Sequence, residues 1–199
     1  MCHMLHVVVS VRGVTYLDNI MYVVCDESST IRLYNTGTFS PLDVGLVINV
    51  TGMKDPRDIV VCRHDRQLYI ANYNYCIWRV SVDDHSYVKW MTMSSTDTFH
   101  VNTMSLTSRR LLVTSHKPPT LRQYNTVDSQ LLSHIDLSQY VQWLDHAVET
   151  TRQTFVVGYF GTSQYEGQWA VSELLPVTAV NAFTLSNNCL LYTSPSPRD

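Results

Sequence analysis

Three residues at matching distances from apolar landmarks carry the first chemical signal. Nine or ten positions before Leu68, Leu111 and Phe155 stand Asp58, Asn102 and His146, each near the start of a strand-like segment. A carboxylate, an amide oxygen and an imidazole nitrogen together suit a Ca²⁺ or Zn²⁺ ion. An Asp and a His also form an acid and base pair for a hydrolysis such as lactone opening. The same residue types line water-filled channels for solvation alone, and that is the reading adopted here, with no cofactor expected. A second group suits recognition instead of chemistry. Tyr73, Tyr75 and Trp78 bracket the polar turn Asn72–Cys76, and His116 opens a His-Lys-Pro-Pro loop stiffened by two prolines. Aromatic residues on stiff loops make good partner anchors, so Tyr73, Tyr75 and His116 are taken as candidate partner-binding residues and Trp78 as a packed one.

The usual catalytic signatures are missing. There is no Gly-x-Ser-x-Gly elbow, phosphate-binding Gly-rich loop, His-Glu-x-x-His or Cys-x-x-Cys. Of the natural cysteines, Cys25 and Cys62 fall at strand ends, Cys76 in a turn and Cys2 near the start. None suggests a pair, and reduced thiols in apolar sites are expected. Asn49-Val50-Thr51 is a glycosylation sequon.

The 199 residues, 45% hydrophobic, suffice for one domain with a sizeable core and exclude a disordered solvating segment. No apolar run reaches the roughly 18 residues of a membrane span. A net charge of −3, with Lys54, Lys89 and Lys117 the only lysines, argues against binding a phosphate backbone. Val and Thr abound while Ala, Glu and Lys are scarce, which favours strands over helices.

A repeat organises these strands. Apolar cores around Met21, Leu68, Leu111 and Phe155 lie 47, 43 and 44 residues apart. Each is followed by a second strand signal: Ile31–Tyr34, Ile77–Val80, Leu121–Tyr124 and Trp169–Ser172. In the second unit the strands Asp58–Cys62, Gln67–Ala71, Ile77–Val82 and Tyr87–Met93 alternate with Asp, Asn and Ser turns, as an antiparallel meander requires. Four strands per unit of 40 to 50 residues mark a propeller blade. A sandwich explains the strand density equally well, but not the paired landmarks. The expected fold is all-β, a β-propeller fragment of about four blades at residues 13–52, 53–98, 99–144 and 145–188. Residues 1–12 would supply a strand of a preceding or closing blade.

Asp55-Pro56-Arg57-Asp58-Ile59-Val60-Val61, then Leu68-Tyr69-Ile70-Ala71-Asn72-Tyr73, then Ile77-Trp78-Arg79-Val80 resembles the NHL repeat of six-bladed propellers, with Asn72 where that family usually has Asp. The resemblance implies a monomeric six-bladed ring and a non-catalytic scaffold that binds a protein or other macromolecule through loops on one face. Its alternative implication is a lactonase- or lyase-type enzyme with a metal in the channel, held by Asp58, Asn102 and His146. RNA-binding relatives use a basic face, which the net charge of −3 disfavours. Cys189–Asp199 departs from the upstream pattern and resembles one reading frame of a sequencing adapter. Residues 189–199 are therefore expected to be an artefact, with the natural chain continuing past Asn188.

Overall fold

The computed structural model describes residues 10–42, 46–73, 76–94, 96–160, 169–177 and 182–185. Cys2, Tyr75 and the segment 189–199 lie outside them. The described residues form strands and turns and no helix. Four sheets follow one another along the chain, each an antiparallel meander in sequence order. The first blade contains β1 (Val11–Leu17), β2 (Ile20–Cys25), β3 (Thr30–Asn35) and β4 (Val47–Asn49); the second β5 (Pro56–Cys62), β6 (Gln67–Asn72), β7 (Cys76–Ser81) and β8 (Tyr87–Thr92). The third contains β9 (Val101–Thr107), β10 (Arg110–Ser115), β11 (Thr120–Asn125) and β12 (Leu131–Asp136); the fourth β13 (Trp143–Glu149), β14 (Phe155–Phe160), β15 (Trp169–Val177) and β16 (Ala182–Leu185). Val11 and Arg12, from the segment expected to serve another blade, thus begin β1.

First strands pack on first strands: β1 on β5, β5 on β9 and β9 on β13. This is a propeller arrangement of four blades.

Apolar cores form between blades, because a single sheet cannot cover both its faces. Leu68 and Ile70 of β6 join Tyr22, Val24 and Ile31 in the core shared with the first blade. The intervening Tyr69 and Ala71 face the other way, joining Met104, Leu111 and Val113 of the third blade. Leu112 and Leu121 meet Leu144, Ala147 and Val157 of the fourth. Two-sided burial explains why the second strands read as unbroken apolar runs instead of alternating. The outer strands β8 and β12 are mostly open to solvent and carry charges. Cys25, Cys62 and Cys76 are free and buried, as expected.

Each first strand is interrupted at a corresponding place. The pairing register skips Arg12 in β1, Arg57 in β5 and Asp145 in β13, while in β9 Asn102 and Thr103 together oppose Thr114. These are β-bulges, which bend the strand and turn a side chain out of the alternation. Gly13, Asp58, Thr103 and His146 follow the bulge. At Gly13 the neighbouring blade comes so close that a Cβ would lie 2.8 Å from the Ile59 nitrogen and 3.0 Å from the Asp58 Cα.

That contact predicts a matched pair of outcomes in urea unfolding. Gly13→Ala should cost about 1–3 kcal/mol through backbone overlap. Gly158→Ala, whose Cβ would meet nothing nearer than 3.8 Å, should change stability by less than about 1 kcal/mol. Equal effects would contradict the close approach.

Candidate functional site

Asp58 and His146 occupy the same place in their blades, immediately after the bulge. The register gives that place in the third blade to Thr103, and Asn102 is the bulged residue beside it. The three candidate ligands serve the seams between blades. Asp58 Oδ2 accepts from the Met104 main-chain N–H at 2.7 Å, across the seam, and Oδ1 accepts from the Ile59 N–H at 2.8 Å. Asn102 Nδ2 donates to the Asp145 carbonyl at 3.1 Å, which also receives the Thr103 and Thr114 hydroxyls at 2.6 and 3.0 Å. His146 Nδ1 meets Thr103 Oγ1 at 3.0 Å.

Each of the three side chains thus has a main-chain or hydroxyl partner across a seam. Among the described residues no group of three or more His, Cys, Asp or Glu is placed to hold a metal.

Burial pushes the Asp58 carboxyl above the ordinary aspartate value of 3.8; the two N–H donors and His146 oppose the rise, and Asp145 adds to it.

The residues that do converge lie on the face where the first strands begin. Arg57 from the β5 bulge, Tyr73 just past β6, His100, Val101 and Asn102 at the start of β9, His116 and Lys117 just past β10, and Trp143 at the head of β13 surround a cavity of about 510 Å³. It spans three blades. The chain is fixed there by side chains at the ends of the second strands. Asn72, fully buried, accepts from the Lys54 and Asp55 N–H groups at 3.1 and 3.3 Å. A carboxylate could make the same two bonds. The counterpart of Asn72, Ser115, accepts from the His100 N–H at 3.2 Å.

Two cations in the cavity wall rest on aromatic rings. The Arg57 guanidinium lies 4.6 Å from the centre of Tyr73, and the Lys117 ammonium 5.3 Å from that of Trp143. Trp143 stacks on Phe160 at 5.3 Å, and the Tyr73 and His100 rings are 6.3 Å apart. His116 Nδ1 donates to the Leu144 carbonyl at 2.7 Å, tying the third blade to the fourth. Tyr73 remains 47% exposed. Arg57 Nε and Trp143 Nε1 are buried without hydrogen-bond partners.

Of the partner-binding candidates, Tyr73 and His116 therefore meet in one cavity, and Tyr75 lies outside the described residues. No motif marks Arg57, His100 or Trp143, and Lys117 belongs to the His116 loop. The signal for them is positional: residues bulged at, or just before, the first strand and residues just after the second strand share one end of every blade.

Solved structures with the same chain path include Kuenenia stuttgartiensis hydrazine synthase, at 10% identity and a TM-score of 0.65 over 83% of this chain and 46% of that one. U3-55K matches at 10% and 0.65 over 89% and 51%, and the WD40 propeller domain of Doa1 at 13% and 0.59 over 75% and 48%. The fold is a β-propeller. At such identities the likeness concerns fold alone, and the chain spans about half the length of the structures it matches. No family model matches the sequence, and no curated protein does.

The raised Asp58 value fixes the sign of a pH effect. The folded chain holds that proton more tightly than the unfolded chain, so the carboxyl's contribution to stability falls as pH rises from about 3.8 through the folded value. In urea titrations from pH 3.5 to 6.5, the stability of the native chain relative to Asp58→Asn should decline with rising pH and then level off. A difference that grows with pH would contradict the assignment.

Proposed function

We propose that this chain is part of a non-catalytic β-propeller scaffold that seats a protein partner on the face where the first strands begin, over the cavity of Tyr73, His116 and Trp143. The observation that carries this reading is the convergence of aromatic and basic side chains from three successive blades on one concavity. Aromatic and arginine anchors in a concave setting are what partner hot spots are made of. The main-chain ties at Asn72 and Ser115 hold the surrounding loops in place before a partner arrives, which lowers the ordering cost of binding. The WD40 repeat structures it matches support the propeller frame of this reading.

We also read the blades as NHL-like members of a six-bladed ring, on the strength of the Asp55–Val61, Leu68–Tyr73 and Ile77–Val80 segments. Val14 and Tyr16 on the first blade are 52% and 59% exposed, and Val148 and Val171 on the fourth are 41% and 36% exposed. A closed ring covers apolar blade faces of this kind.

Selection of binding peptides from a random display library against the full chain tests the scaffold reading. Tyr73→Ala and Trp143→Ala should each weaken the selected peptides about tenfold or more. Val127→Ser, on the opposite face and 64% exposed at that position, should leave them unchanged. Peptides indifferent to Tyr73 and Trp143 would refute the placement of the partner.

A further inference from the structure

We infer that the cavity is an oxyanion site, one that takes a phosphate or carboxylate carried on a side chain of the partner peptide; this rests on the scaffold reading and names what the scaffold recognises. Among the described residues its lining contains Arg57, Lys117, His100 and His116 and no carboxylate. That composition is local. On the opposite face a cavity of about 600 Å³ between the second and third blades sets Arg79 and Arg109 against Asp65 and Asp84. The other ion-paired arginines lean on acids in the same way: Arg12 on Asp26, Arg66 on Asp18 and Asp83, Arg110 on Glu149 and Arg122 on Asp97.

Within the cavity Arg57 is balanced by Asp55 at 3.1 Å. Lys117 rests on Trp143, and among the described residues no carboxylate lies within ion-pair distance of it. An ammonium and a guanidinium propped on rings keep their charge directed while giving up little rotational freedom.

Arg57 and Lys117 offer an oxyanion charge-assisted hydrogen bonds, about twice as strong as neutral ones. Asn102 completes the polar lining, its Nδ2 held by the Asp145 carbonyl. A dianion is attracted about twice as strongly as a monoanion to the Lys117 ammonium, which places phosphate above carboxylate in the expected order.

Titration calorimetry of the full chain with three capped pentapeptides, carrying phosphoserine, glutamate or serine at the centre of an otherwise Gly and Ala sequence, tests this inference. Phosphoserine should bind saturably and weaken as salt is raised. Glutamate should bind about fivefold or more weakly, and serine should give no signal. Lys117→Gln and Arg57→Gln should each lower phosphoserine affinity about fivefold or more, while Arg109→Gln on the opposite face should not. Glutamate binding as tightly as phosphoserine, with the same dependence on Lys117, supports the oxyanion site with carboxylate as its source. Three results overturn it: serine binding as well as phosphoserine, no binding by either acidic peptide, or binding that ignores Lys117 and Arg57. If library-selected peptides then still require Tyr73 and Trp143, the scaffold reading survives and the oxyanion inference alone falls.

Discussion

Around the bulges of β9 and β13, main-chain groups must find partners, and the neighbouring blade provides them. A bulge interrupts the hydrogen-bond ladder of a first strand, and buried amides and carbonyls without partners are costly. The Met104 N–H finds Asp58 from the second blade, and the Asp145 carbonyl finds Asn102, Thr103 and Thr114 from the third. Gly13 has no side chain to offer, and there the blades come into direct backbone contact. Apolar burial holds blades together without direction, whereas these bonds set how one first strand lies beside the next.

Bulges also build the cavity. Arg57 and Asn102 are bulged residues, displaced from the alternation that would otherwise point them between blades, and both line the cavity at the end where the first strands begin. Tyr73 and His116 follow second strands whose last residues, Asn72 and Ser115, tie down the loops leading into the first strands. Scaffold and site are therefore coupled through short main-chain bonds. The opposite face is held differently, by ion pairs between turns: Arg66 joins Asp18 of the first blade to Asp83 of the second, and Arg109 of the third reaches Asp65 of the second.

Much of this was legible in the residues. The recurrence of Met21, Leu68, Leu111 and Phe155 marks the second strands because each is buried on both faces and must be apolar throughout. The spacing also places Asp58 and His146 at one position of their blades. It misplaces the third member by one residue, since a bulge adds a residue without altering the apolar pattern, and Thr103 takes the position expected of Asn102. Nor does spacing reveal that these side chains bond main chain; a carboxylate facing an N–H and one facing an ion look alike in sequence. Tyr73 and His116 were accessible because they stand at turns. Arg57 and Trp143 were hidden in strands whose register only the folded sheet displays.

Amide hydrogen exchange at Met104 tests the seam most directly. If Asp58 holds that N–H across the blades, Met104 should exchange slowly in the native chain and about tenfold or more faster in Asp58→Ala, together with the adjacent amides of His100–Asn102, while the amides of β11 keep their protection. Met104 exchanging at one rate in both proteins would show that the blades are registered by apolar packing alone, and the link drawn here between seam and cavity would fail.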